Sequence, residues 1–228
     1  MTMVELKGVV ATTASVSTIF QFLSGVLICR KLVKQGTCGD TSCFPFVVGF
    51  VSCSLWLRYG CLIEDVSLTV VNSVGAFLQL SYVVIYLMYS AKKAIIIRQL
   101  FAVSLVLFST LGYVEYESDP DVAKFRMGLI CCSMTCLFFI APFSVLAQVI
   151  KNKSAEILPF PLIVTTFVVS CQWFAYGVLL DDQFIQIPNA VGCILSALQL
   201  SLFIIFPIST PTKTEKWASK DMSQRILL

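Results

Sequence analysis

The chain of 228 residues contains no histidine. That removes the side chain most often used to move protons near neutral pH. A zinc site would then need an all-thiolate cage, and the ten cysteines include no Cys-x-x-Cys pair from which to start one. Charge is scarce too, at 13% Asp, Glu, Lys and Arg, far below what a soluble domain of this size needs for its surface. No Asp or Glu falls inside any long apolar stretch, and no Gly/Ser linker or low-complexity tract divides the chain. Catalysis is left without a Ser-His, Cys-His, paired-acid or metal arrangement, so neither an enzyme nor a cofactor-binding protein is expected.

What the sequence does have is apolar length. Hydrophobic residues make up 57% of the chain, with a mean hydropathy of +0.88. They gather into seven runs: Val9–Cys29, Phe44–Ile63, Val66–Tyr89, Gln99–Val114, Met127–Ile150, Leu158–Leu180 and Phe184–Phe206. About twenty residues in a helix cross roughly 30 Å of hydrocarbon. Backbone groups in lipid must bond within their own segment, and the short alternating strands of a barrel are absent, so each run reads as a helix. The first run has no basic leader and carries Thr12, Thr13, Ser15, Ser17, Thr18 and Gln21, which fits a retained helix rather than a cleaved signal. Most cysteines lie inside the runs, where a thiol behaves as a small hydrophobe.

Charge sets the orientation. Segments 30–43, 90–98, 151–157 and 207–228 hold 12 of the 16 basic residues but only four acids, Asp40, Glu156, Glu215 and Asp221. The opposite side holds the other four basic residues and nine acids. By the positive-inside rule the C-terminus is cytoplasmic and the N-terminus outside, and the net charge of +3 signals topology rather than a nucleic-acid footprint. Cys38 and Cys43 then face the reducing side, where a bridge is not expected. Asn152-Lys153-Ser154 lies on the wrong side for glycosylation.

The chain also repeats itself. A shift of 117 residues lays Trp56, Tyr59, Gly60, Leu62, Asp65, Asn72, Val74 and Gly75 on Trp173, Tyr176, Gly177, Leu179, Asp182, Asn189, Val191 and Gly192, eight identities in twenty positions. Gly25 pairs with Pro142, and Pro45 with Pro159 after a three-residue change of register. Three helices per copy would invert the second, and the fourth helix restores its direction. The expected fold is an all-α membrane protein of seven transmembrane helices, two parallel three-helix bundles joined by an inversion linker helix (3+1+3). The first repeat covers 1–91, the linker helix and outer loop 92–126, the second repeat 127–206, and a cytoplasmic tail 207–228.

Phe44-Pro45-Phe46, Trp56-Leu57-Arg58-Tyr59-Gly60 and Asn72-Ser73-Val74-Gly75 in the first copy carry a family signature. So do Ala141-Pro142, Leu158-Pro159-Phe160-Pro161-Leu162, Trp173-Phe174-Ala175-Tyr176-Gly177 and Pro188-Asn189-Ala190-Val191-Gly192 in the second. Over residues 8–206 the chain resembles the SWEET (MtN3/saliva) sugar-transporter family, which is itself a known case of parallel transporter repeats. Gly25 stands where plant members carry a helix-1 proline, and with Trp56 it points to the animal branch. The resemblance implies a mono- or disaccharide substrate, a homo-oligomer, and residence in the plasma membrane, with the Golgi or another internal membrane as the alternative.

Asn72 and Asn189 are the leading candidates for substrate binding. Each lies about six residues, roughly 9 Å, inside the outer end of its helix. An amide both donates and accepts, which matches sugar hydroxyls; the alternative is an interhelical bond that glues the bundle. Trp56 and Trp173, sixteen residues earlier, offer a flat face and one N–H to a pyranose, or else anchor the helix at the interface. Family analogy makes Tyr59 with Asp182, and Tyr176 with Asp65, an outer gate; solvated helix ends are the plainer reading. Arg58 is expected to snorkel to the outer surface. Pro45, Pro142 and Pro159 are candidate hinges, or simply helix starts.

Without ionisable groups in the helix interiors, proton coupling has no carrier, and passive uniport by alternating access is expected. Two other readings are a seven-helix receptor, which would show no duplication, and a related PQ-loop carrier of another small polar solute, which would carry a Pro-Gln pair and a buried acid.

Overall fold

A computed structural model describes residues 2–39 and 41–206, except for the side chains of Ile140, Ala141, Pro142 and Ser144. The expected tail, 207–228, lies outside the described residues, as does Asp40. The described residues form eight helices: α1 (Met3–Gln35), α2 (Phe44–Leu62), α3 (Val66–Tyr89), α4 (Lys93–Glu115), α5 (Pro120–Phe138), α6 (Ile140–Asn152), α7 (Phe160–Leu180) and α8 (Gln183–Ile205).

Six of these, α1 to α4, α7 and α8, are long and apolar enough to cross a membrane. The seventh span is α5 and α6 in succession. Together they run from Pro120 to Asn152, the positions that a shift of 117 assigns to the ends of α1. The single fifth helix expected over Met127–Ile150 is therefore corrected in two ways. It starts a full seven residues earlier, where Asp119 caps the helix by accepting from the N–H groups of Asp121 and Val122. It also breaks at Phe139. Proline at 142 has no N–H for the carbonyl of Phe138, so the ladder opens there, and the Phe139 N–H turns back to Cys136 at 3.1 Å. The fourth helix, expected over Gln99–Val114, extends to Lys93 and Glu115.

Local chemistry explains the other ends. Thr2 and Glu5 form a reciprocal capping box at the start of α1, and Gly36 closes it in a left-handed turn. The α2–α3 and α7–α8 turns are copies of one another. Glu64 and Asp181 both adopt φ of 57°, and the Asp65 and Asp182 N–H groups bond the carbonyls of Gly60 and Gly177, each at 2.9 Å. Glycine lets both turns close tightly, because a Cβ would stand 3.0 Å from the backbone nitrogens of Thr69 and Gln186 and push on the returning helices. Pro45 sits in the first turn of α2 and Pro159 at the cap of α7, where a missing N–H breaks no ladder bond. By position in the helix, the counterpart of Pro45 is Pro161.

In each repeat the third helix lies between the other two, so α3 separates α1 from α2, and α8 separates α7 from α5. The repeats meet along the α1–α7 and α2–α5 seams, and α4 packs outside the second seam. Near the α2–α3 and α7–α8 turns (the turn end) one core, including Leu55, Val71, Met127, Trp173 and Ile185, spans both repeats. Toward the opposite, basic end the repeats have separate cores, one around Leu32, Val47 and Val83 and one around Val149, Ile163 and Leu202. The perimeter exposes Phe20, Phe77, Phe101 and Phe108, as a lipid-facing surface must. In the short basic-end loop between α1 and α2, burial and the neighbouring thiols of Cys38 and Cys29 push the Cys43 thiol up to about 11.

Where the second repeat has Pro142, the first has Gly25, and its bare Cα admits the ring of Tyr82, whose hydroxyl donates to the Phe22 carbonyl at 3.1 Å. Any Cβ at Gly25 would overlap that ring. Gly25→Ala is expected to lower stability by about 1–3 kcal/mol, the usual cost of overpacking. Pairing it with Tyr82→Leu should recover most of the loss. Thermal unfolding of the purified variants checks both.

Candidate functional site

A cavity of about 130 Å³ lies on the axis between the repeats, just below the turn end. Its ten lining residues form five pairs related by 117: Thr18 and Thr135, Trp56 and Trp173, Leu68 and Ile185, Val71 and Pro188, Asn72 and Asn189. No ionisable side chain is among them. Both expected carboxamides and both indoles are there.

Each polar side chain is held by a bond that its partner duplicates. Asn72 donates one N–H to the Leu68 carbonyl one turn back, and Asn189 does the same to Ile185, both at 2.8 Å. Those bonds fix the amides and leave the carbonyl oxygen and second N–H of each for the cavity. The interhelical glue weighed for these amides is not what the bonds form, since each stays within its own helix.

The indoles carry the cross-links instead. Trp173 donates its N–H to Thr18 at 2.8 Å, and Trp56 to Thr135 at 3.1 Å, so each bond runs from one repeat to the other. The threonine hydroxyls in turn donate to the carbonyls of Ala14 and Cys131. In this conformation the N–H expected for a sugar hydroxyl is thus committed to protein, and only the ring remains for a ligand. One further bond, Gln21 to Thr166 at 2.9 Å, ties α1 to α7 below the cavity and has no counterpart at Phe138 and Gly49.

Above the cavity, Tyr59 donates its hydroxyl to Asp182 at 2.7 Å and Tyr176 to Asp65 at 2.5 Å, again from one repeat to the other. Each tyrosine ring stands edge-on to the tryptophan below it, with centroids 5.7 Å apart. The aspartates also cap helices. The second carboxylate oxygen of Asp65 accepts from the N–H of Leu68, and that of Asp182 from Phe184 and Ile185. Arg58, expected to snorkel to the surface, pairs there with Glu115 at the end of α4, a contact between α2 and the linker helix.

Sequence reasoning missed Thr18 and Thr135, which supply the acceptors, and gave no role to Pro188, which faces the cavity from inside α8. The two threonines are 117 residues apart, so carrying the self-comparison into the first and fifth apolar runs would have found them.

A neutral, hydrogen-bonding cavity on the axis of a duplicated helical bundle defines a membrane carrier for an uncharged polar solute. Comparison with known proteins narrows that class. The family model described as "Sugar efflux transporter for intercellular exchange" matches residues 8–94 and again 125–211, ranges offset by the same 117. The chain is 47% identical over 199 residues to Sugar transporter SWEET1 of Drosophila pseudoobscura pseudoobscura, covering 86% of this chain and 88% of that one. It is 37% identical over 213 residues to Sugar transporter SWEET1 of Caenorhabditis elegans, covering 92% and 70%. A eukaryotic SWEET transporter solved at 3.7 Å superposes with a TM-score of 0.75 at 26% identity, over 88% of this chain and 98% of that one. The chain belongs to the SWEET (MtN3/saliva) family, a family of transporters and not of enzymes.

Tyr59→Phe removes one charge-assisted bond and should cost about 1.5–3 kcal/mol of stability at most. Asp182→Ala removes the same bond and a helix cap worth about 1 kcal/mol more. Thermal unfolding should therefore rank Asp182→Ala below Tyr59→Phe; equal losses would contradict the double duty of the aspartate.

Proposed function

We propose that the protein is a passive, bidirectional sugar uniporter that works by alternating access, with Asn72 and Asn189 gripping a hexose between Trp56 and Trp173. The observation that carries this reading is the cavity itself, lined by five related pairs and no charge. Sugar hydroxyls both donate and accept, and so do the free halves of the two amides. The apolar C–H face of a pyranose suits the indole rings. The printed names of the relatives agree in kind: SWEET1 of Drosophila pseudoobscura pseudoobscura is a sugar transporter, and SWEET2a of Sorghum bicolor, 31% identical over 190 residues, a bidirectional one.

In this reading the two Tyr–Asp pairs are the outer gate, here closed. Alternation needs one end to part while the other holds. The shared core at the turn end and the separate cores at the basic end suit a conformation shut to the outside. Bending falls chiefly to the break at Phe139 ahead of Pro142, with Pro45 and Pro159 as pivots at helix starts. The basic end faces the cytoplasm, the N-terminus lies outside, and the plasma membrane is the site of action.

Radiolabelled glucose flux in proteoliposomes tests the proposal. Asn72→Ala and Asn189→Ala should each lower uptake about tenfold, the effect of losing roughly 1.4 kcal/mol of hydrogen bonding. Unchanged flux in both variants would sink the binding assignment. An imposed pH gradient should leave wild-type uptake unaltered, and uptake that tracked it would overturn uniport. Pro142→Ala should slow flux without changing the amount of protein in the membrane.

A further inference from the structure

A second cavity, about 590 Å³, opens near the basic end and owes nothing to the repeat interface. All of its lining residues come from α1 and α3. Val26, Cys29, Val33, Tyr82 and Ile85 make an apolar trough, and Arg30, Lys31 and Lys34 stand along it. It lies on the outer perimeter of the bundle. The seam between α1 and α7 is closed by the Gln21–Thr166 bond, whereas Leu27, next to Val26, is 68% exposed on the lipid-facing side.

The three cations lie within five residues and are all exposed. None has an acid within ion-pair distance among the described residues, whose ion pairs involve only Arg58, Lys124 and Arg126. Comparing the repeats separates what packing requires from what it does not. Most of the apolar positions recur in the sequence of the second repeat, where Phe143, Leu146, Ile150 and Leu202 replace Val26, Cys29, Val33 and Ile85, and Gln199 replaces Tyr82. The cations do not: Ala147 and Gln148 stand in place of Arg30 and Lys31, and only Lys151 persists. Helix packing accounts for the apolar wall, but the charges of Arg30 and Lys31, present in one repeat alone, are surplus to it.

We infer that this groove is a binding site for an anionic phospholipid of the inner leaflet, with an acyl chain in the trough and the headgroup phosphate held by Arg30, Lys31 and Lys34. Basic pockets between helices at the cytoplasmic side suit such headgroups. A free phosphate would satisfy the charges but leave the trough empty, so the occupant is a lipid. The site rests on the basic end facing the anionic leaflet. Nanodiscs carrying phosphatidylserine on both faces make its test independent of that orientation and of sugar flux.

The full-length protein would be reconstituted in phosphatidylcholine nanodiscs with or without phosphatidylserine, extracted, and its retained lipid measured by mass spectrometry. Wild type should keep phosphatidylserine in preference to phosphatidylcholine. Each cation removed in Arg30→Gln, Lys31→Gln and Lys34→Gln should lower phosphatidylserine affinity about fivefold. Val33→Trp, which fills the trough and spares the charges, should also abolish retention. Lys92→Gln with Lys93→Gln, in the next basic loop, should not. Equal retention of both lipids by wild type, full retention by the triple variant or by Val33→Trp, equal loss in the Lys92/Lys93 control, or displacement by excess inorganic phosphate would each overturn the assignment. Monodisperse gel-filtration elution and an unchanged thermal unfolding midpoint separate a folded variant from a misfolded one.

Discussion

Two indole N–H groups at membrane depth, that of Trp173 buried and that of Trp56 half-buried, need acceptors, and each finds its acceptor on the opposite repeat. An unpartnered buried donor costs about 1–3 kcal/mol, so neither bundle can bury its own tryptophan comfortably alone. The threonines that accept are in turn tied to their own backbones, which turns each cross-link into a short relay from indole to hydroxyl to carbonyl. Docking the repeats therefore satisfies the polar groups and creates the cavity in one step. The leftover valences of Asn72 and Asn189 face into it because their first N–H groups are already used one turn back.

The same pairing rule divides the molecule lengthwise. Toward the turns, apolar packing, indole relays and Tyr–Asp bonds all run between repeats. Toward the basic end, each bundle keeps to its own core, and Gln21–Thr166 is a one-sided exception. The duplication is thus close at the turn end and loosens away from it. Gly25 accommodates the Tyr82 ring and leaves α1 continuous, while its counterpart Pro142 follows an interruption. Arg58 and Glu115 meet, between α2 and the linker helix, where the two repeats agree best.

Much of this could be read from residue types alone. Apolar run length locates the helices, and the 117-residue shift pairs Trp56, Tyr59, Asp65 and Asn72 with their counterparts. What stayed hidden depended on direction. Threonine in an apolar helix ordinarily donates to the carbonyl one turn back, as Thr18 does to Ala14 and Thr135 to Cys131, and nothing in the sequence says that an indole from the other repeat arrives at the same hydroxyl oxygen. The break at Phe139 was obscured because Pro142 could bend a helix or merely be tolerated in it. The early start of α5 was masked by Asp121, Lys124 and Arg126, whose charge made its first turns look like loop. For Pro45 and Pro159, position within the helix, rather than their presence, governs what they do to the ladder.

The two capping aspartates have a last consequence. Each carboxylate is pinned by backbone N–H groups of its own helix, so its place does not depend on whether a tyrosine is bound to it. On the proposed alternation, parting the bundles would withdraw a phenol from an anion that stays solvated by peptide dipoles on its other oxygen. The strike plate would be permanent and only the bolt would move, so that a return stroke would meet an acceptor already aimed.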